Sequence, residues 1–400
     1  MKLKTKNKLI SSLVQLECNV RKIRYHGHDP YDVLNFSRLD KYNSKYLNMA
    51  LTQAFVYSPI NFRNLIGIRR GLNPKGVGLF VKAYCTLEKL KIYPEGFCLR
   101  ISEILANWLI KNKSKFSGNF SWGYNFPWQS SQRKLESGIP TIVNSSFIGD
   151  SFLELYSLTS KKKYLEVAES ICEFILEDLQ ISKFDEGICF SYTPLDKHIV
   201  HNANVLGASL LDKVSKLNNS EKYARYSNKA FNYTISQQKS NGMWPYSLDR
   251  ITGTERNQID WHQGFILDSL CEYLTNNPNS PEHYFSSMIN GSEFYANKQF
   301  TKQGVSKWRW PKVWPVDIHN QAQGIITFAN LSSFDGNFLL ISEKIATWTI
   351  VNFKKDNGFF EYQKWSFLSN KTIYMRWSQA WMLLALSKLA YEKEVRNKNE

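Results

Sequence analysis

Gly358-Phe-Phe-Glu-Tyr362 places aromatics behind a glycine and sits between two unlike helical patterns. Before it, Phe338 to Phe353 reads as an amphipathic helix with one polar face. After it comes an aromatic-rich loop and then the apolar run Trp377-Ser-Gln-Ala-Trp-Met-Leu-Leu-Ala385. In that run Trp377, Ala380, Trp381, Leu384 and Ala385 fall at i, i+3, i+4, i+7 and i+8, which is one helical face.

The same order recurs upstream. The other glycine–aromatic elements are Gly118-Asn-Phe-Ser-Trp122, Gly187-Ile-Cys-Phe-Ser-Tyr192, Gly242-Met-Trp-Pro-Tyr246 and Gly304-Val-Ser-Lys-Trp308-Arg-Trp310, at intervals of 69, 55, 62 and 54 residues. Amphipathic helices precede the later copies at Lys163 to Leu179, Glu221 to Gln238 and Glu282 to Phe300. More apolar helices follow, starting near Pro140, His201, His262, His319 and Ser378. Lys75 to Leu90 reads as the sixth apolar helix, preceded by Asn43 to Phe55. A helix apolar on most faces must be buried, and one with a polar face must lie outside. Six of each, alternating, predict an all-α (α/α)6 toroid of six helical hairpins, with short β-hairpins in the connecting loops. An open solenoid is the alternative, but solenoid loops are usually short, whereas these are long and carry most of the tryptophans.

A closed ring also accounts for the length, since 400 residues exceed the roughly 250–300 of a usual single core. The expected organisation is one toroid over 1–400, with residues 1–60 packing on the ring and 61–395 forming the repeats. The six cysteines are scattered with no CxxC pair, so no disulfide framework is expected. The N-terminus reads as an amphipathic helix rather than a signal-peptide core, and no run of about 20 apolar residues could span a bilayer. The expected compartment is therefore the cytoplasm. The net charge of +16 is spread along the chain without a basic stripe or nucleic-acid module. That points away from nucleic acid and leaves an acidic sugar, a nucleotide- or lipid-linked sugar, or peripheral contact with an anionic membrane as partners.

The repeat resembles the six-hairpin superfamily of N-acylglucosamine 2-epimerases, unsaturated glucuronyl hydrolases and the helical domains of C5-epimerases and uronate lyases. His28-Asp-Pro-Tyr-Asp32, Trp122-Gly-Tyr-Asn-Phe-Pro-Trp128, Pro140-Thr-Ile-Val-Asn144, Gly149-Asp150 and Val200-His-Asn-Ala-Asn204 further resemble proteins of bacterial surface-polysaccharide clusters. The resemblance implies cell-envelope glycan synthesis and supplies no catalytic residue.

In such a ring the ligand mouth is expected where the inner helices begin, because free N–H groups and positive potential converge there. Three of these helices begin with histidine, at His201, His262 and His319, at what read as matching repeat positions. Two imidazoles on opposite faces of a sugar could remove and return a carbon-bound proton, as the histidines of the 2-epimerases do. Asp260, two residues before His262, could orient it or cap the helix, and Asp317 stands likewise before His319. Among carboxylates near the loops (Asp150, Asp196, Glu255, Asp260 and Glu361) no pair has the spacing of a glycosidase dyad. The aromatics Trp122, Tyr124, Trp128, Tyr192, Trp244, Trp308 and Trp377 are candidates to stack on sugar faces, with core filling as the competing role. Asn144, Asp150 and Asn204 are polar candidates, and Arg376 is a candidate for a carboxylate or phosphate or else a loop ion pair. His26-Gly-His28-Asp29 looks like a metal motif, but without distal partners it is assigned to structure; no metal and no cofactor is expected.

Three classes follow. The first is an enzyme, an epimerase, lyase or hydrolase of surface-polysaccharide synthesis. The second is a non-catalytic glycan-binding or scaffold protein. The third is a terpenoid cyclase or prenyltransferase toroid, ranked last because no DDxxD or DxDD segment is present.

Overall fold

The computed structural model describes residues 2–36, 44–129 and 134–399. Six helices form the inner ring: α3 (Pro74–Leu90), α5 (Ile142–Thr159), α7 (His201–Asn218), α9 (Trp261–Asn276), α11 (Ile318–Leu331) and α13 (Trp381–Asn399). Each packs on the next, and α13 returns to α3, which closes the ring. Outside it, α4 (Phe97–Lys111), α6 (Lys162–Glu173), α8 (Glu221–Ser236), α10 (Glu282–Phe294) and α12 (Asn337–Phe353) each cover the inner helix before them. The sixth hairpin joins the two ends of the chain: α1 (Lys2–Lys22) packs on α13 and α12. The helix read before Lys75 has a different place. It is α2 (Lys45–Tyr57), which packs on a 3-10 turn at Asp32–Asn35 and on the strand Trp128–Gln129, outside the alternation; Asn43 lies outside the described residues.

Local chemistry sets the boundaries. Asn73 caps α3 ahead of Pro74, whose missing N–H costs nothing at a first helical position. Thr141, Ser220, Asp260 and Asp317 cap α5, α8, α9 and α11 through side-chain oxygens. Inner helices meet closely at glycine: a Cβ on Gly149 would lie 2.6 Å from Leu210, and one on Gly207 2.5 Å from Ile142. The glycine of the repeated element is equally constrained. Gly242 has φ +90°, and a Cβ there would meet the Asn290 carbonyl at 2.2 Å.

The connections carry the expected short strands. Ile181–Phe184 pairs with Gly187–Phe190, and Val316–Asp317, Gln363–Lys364 and Ser369–Asn370 form a three-stranded sheet. At the start of five inner helices (α5, α7, α9, α11 and the turn that leads into α13) one side chain fastens the glycine–aromatic segment before it. Backbone N–H groups of Trp122, Phe190, Trp244, Ser306 and Phe360 donate to Ser145, Asn204, Gln263, Gln321 and Gln379 respectively. These anchors recur at intervals of 59, 59, 58 and 58 residues and give the ring its true register.

Candidate functional site

Counting from the anchors shows which residues face the ring axis. Two positions before them stand Val143, Asn202, Trp261, His319 and Trp377, and two positions after stand Phe147, Leu206, Phe265, Gln323 and Trp381. The contacts agree. The His319 ring lies between Trp261 (4.8 Å) and Trp381 (4.6 Å), with Trp377 edge-on at 4.7 Å. Burial, with Lys75 and Arg376 nearby, holds this imidazole well below the usual histidine range, so it is neutral. Neither ring nitrogen has a hydrogen-bond partner among the described residues.

His262 stands one position later in register and is turned toward the mouth. Its Nδ1 lies 2.5 Å from Asp260 Oδ1, and its backbone N–H also donates to that oxygen at 3.1 Å. A carboxylate can only accept here, so Nδ1 carries the proton and Nε2 keeps a free lone pair. Gln258 donates to the other Asp260 oxygen at 2.7 Å. Asp260 is therefore both the helix cap and the orienting group. The His262 ring is 5.0 Å from Trp261, so the two imidazoles flank one indole. Asp317 caps α11 and accepts from Trp377 Nε1 at 2.9 Å and Gln363 at 2.6 Å. Burial pushes its carboxyl up to about 6 despite those donors.

His201 does not join them. Its ring packs on Tyr233 of outer helix α8 at 5.8 Å, and burial pushes it down to about 4. The three histidines occupy different positions relative to the anchors: three before Asn204, one before Gln263 and two before Gln321. Successive helical positions differ by about 100°, so three registers give three directions. The expectation of equivalent sites is corrected accordingly.

Other candidates also move. Trp122 and Trp244 are fully buried, their indole N–H groups donating to the carbonyls of Leu109 and Thr234; they are core. Asn204 is an anchor, with its amide also bonded to Ile188, Ala230 and Thr234. Arg376 is taken by Asp29 in a two-point ion pair of 2.6 and 2.8 Å, which realises the loop ion pair rather than a free anion site. His28 sits in the same loop, bonded to Asn64 at 3.0 Å. Asp150 lies below the Phe147–Phe265–Trp381 layer. There Lys82, Asp150, Lys213, Asp268 and Glu272 line a cavity of about 60 Å³ that is partly open to solvent, and Asp150 binds both lysines.

The remaining candidates gather at the mouth. The Tyr124 and Tyr192 hydroxyls bond each other, and Tyr246 meets the His262 ring at 4.7 Å. Trp308 lies half-buried beneath the Arg309 guanidinium, edge-on to Tyr57 at 6.4 Å. Trp128 is half-buried on its strand beside α2. Asn144 is fully buried, and neither amide atom has a partner among the described residues. Asn202 Oδ1, Ser378 Oγ and Trp381 Nε1 are likewise buried and unpartnered.

Lys75 was not among the candidates. It opens α3, and its ammonium stands over Phe147 at 4.3 Å, Trp381 at 5.3 Å and Phe265 at 5.4 Å. No hydrogen bond or ion pair reaches it among the described residues. Burial, then Arg376, holds it well below the usual lysine range. The signal was legible: a lysine in the first turn of an apolar helix opposes the positive helix end.

No family model and no curated protein matches the chain. Solved structures do. A family 76 glycoside hydrolase (mannosidase) from Bacteroides thetaiotaomicron superposes with TM-score 0.67 at 12% identity, covering 99% of this chain and 100% of that one. An unsaturated glucuronyl hydrolase specific for heparin gives 0.63 at 11%, covering 98% of each. A cellobiose 2-epimerase from Bacillus thermoamylovorans gives 0.64 at 12%, covering 81% of this chain and 88% of that one. The fold is therefore the six-hairpin toroid of these proteins, and at such identity the likeness is one of fold.

Proposed function

We propose that this protein is a carbohydrate-active enzyme that works by proton transfer at the inner-helix N-termini. The observation that carries the reading is the His262–Asp260 pair beside His319, set among buried polar atoms without partners. Buried polar groups in folded proteins are almost always paired, so a cluster of exceptions marks a site built for a ligand's hydrogen bonds. His262 Nε2 is the base, held in place by the Nδ1–Asp260 hydrogen bond. The neutral His319 and the Lys75 amine lie deeper, where a second proton donor or acceptor is needed. Tyr124, Tyr192, Tyr246 and Trp308 supply the aromatic walls against which a sugar ring packs.

Within this class, epimerisation or lyase chemistry fits better than glycoside hydrolysis by two carboxylates. Of the acids near the loops, Asp150 and Glu255 are paired with lysines, Asp196 is tied to the backbone of its own turn, Asp260 holds His262, and Glu361 lies 3.8 Å from Lys364. The similar solved structures, a mannosidase, a heparin-specific glucuronyl hydrolase and a cellobiose 2-epimerase, all handle sugars, which supports the substrate class. A role in surface-polysaccharide synthesis in the cytoplasm goes with this reading.

The test is incubation of the full chain with a panel of neutral and acidic sugars in deuterium oxide. Deuterium at a ring carbon, or a new double bond, supports the reading if His262→Gln abolishes it. New reducing ends without deuterium assign hydrolysis. Saturable sugar binding with no turnover, unaffected by His262→Gln, overturns it in favour of a glycan-binding protein.

A further inference from the structure

Around one side of the mouth, large apolar side chains face solvent. Leu65 is 82% exposed and Ile60 60%, on the segment entering α3; Phe367 is 88% exposed at the tip of the Gln363–Asn370 hairpin, and Trp314 46% on the loop entering α11. These segments touch. Asn370 Nδ2 donates to the Ser58 carbonyl at 2.7 Å, and Val316 pairs with Lys364 in the three-stranded sheet. Soluble surfaces usually scatter such residues singly, so four on segments bonded to one another mark a contact surface.

The charge on the same segments is one-sided. Residues 44–73, 302–316 and 362–374 contain ten Lys and Arg and no Asp or Glu. Three of the ten are taken by acids from neighbouring segments, Arg63 by Asp32, Arg309 by Asp260 and Lys364 by Glu361. Arg69, Arg70, Lys312 and Lys371 are exposed among the apolar side chains. These four have no ion pair among the described residues, and apolar side chains interspersed with unpaired cations match the headgroup zone of an anionic bilayer: the apolar groups insert at the acyl boundary and the cations meet lipid phosphates. A second protein copy would meet the same cations across its two-fold axis and be repelled.

We propose that this rim docks the protein on an anionic lipid surface with the mouth toward the bilayer. Given the carbohydrate reading above, the substrate is then a glycan on a lipid carrier. Each exposed Lys or Arg at such a surface strengthens binding about fivefold.

The experiment is co-sedimentation of the full chain with phosphatidylcholine vesicles containing phosphatidylglycerol, against phosphatidylcholine alone. Binding is expected only to the anionic vesicles, lost in high salt, and weakened at least tenfold by Leu65→Glu with Phe367→Glu. Both side chains are exposed, so melting and turnover of soluble sugars should not change. Vesicle binding is read without turnover, so it stands or falls independently of the carbohydrate reading. No binding to anionic vesicles at low salt overturns the proposal. So does binding that Leu65→Glu/Phe367→Glu leaves intact, or a dimer in sedimentation velocity that this variant dissociates.

Discussion

Asp260 Oδ1 receives both the backbone N–H and the ring Nδ1 of His262, so one buried carboxylate starts α9 and fixes the tautomer of its first histidine. The two roles separate by substitution. Asp260→Asn keeps a cap oxygen but removes the negative charge beside the His262 ring. It should lower kcat roughly 10²- to 10⁴-fold with little change in Tm, as should His262→Gln. Asp260→Ala should also lose about 1 kcal/mol of stability with the cap. Thermal melting beside turnover measures both; a loss of stability with no loss of turnover would leave Asp260 a cap alone.

His201 gives a contrasting pH signature. Its folded value, about 4, lies below the unfolded histidine value of 6.5. A depressed group contributes stability above its unfolded value and loses it as pH falls toward the folded one. Wild type should therefore lose about 3 kcal/mol relative to His201→Phe between pH 6.5 and 4. Comparison with the variant is essential, because Asp268 and Asp317, pushed up to about 7 and about 6 by burial, have the opposite sign in this range. Urea denaturation of both proteins at each pH reads the difference.

The ring's architecture was legible because hydrophobic period and repeat order are local properties of sequence. The inner helices begin where the apolar patterns predicted, and the glycine–aromatic elements are the connections. The functional register was not legible from the histidines, since helix starts are visible only to within a residue or two and one residue turns a side chain by about 100°. The anchors Asn204, Gln263, Gln321 and Gln379 carried the correct register, but they are inconspicuous polar residues. The partnership of α1 with α13 joins opposite ends of the chain, which no local pattern encodes, and it left α2 to be read as an outer helix.

Gln263 tests the register device directly. Its amide accepts from Trp244 N–H at 2.9 Å and donates to the Trp244 carbonyl at 2.7 Å, both buried. Gln263→Ala leaves two buried backbone groups unpaired and should cost about 2–4 kcal/mol. Asn204→Ala should behave alike, with no direct effect on the His262 site. A loss below 1 kcal/mol in urea denaturation would mean the strands hold without their anchors.

Asp29 and Arg376 join the N-terminal loop to the start of the last inner helix, and both are buried. Asp29→Ala leaves the guanidinium uncompensated and should cost about 3–5 kcal/mol. Replacing both, by Asp29→Leu and Arg376→Met, should recover much of that loss because no lone charge stays buried. A double variant no more stable than the single one would show that the pair fixes the loop by geometry rather than by charge.

Lys75 supplies the sharpest separation of stability from activity. A buried amine with no anion beside it opposes folding, while the three aromatic faces return only about 1–2 kcal/mol. Lys75→Met, of similar length and apolar, should therefore raise stability while abolishing turnover. The sign with pH follows from the same depression. The folded amine's value lies below the unfolded 10.5, so wild type loses stability relative to Lys75→Met as pH falls from about 10.5 toward the folded value. The gap between the two proteins should widen from pH 10 to pH 8 in urea denaturation. A Met variant that is less stable and fully active would assign Lys75 to packing.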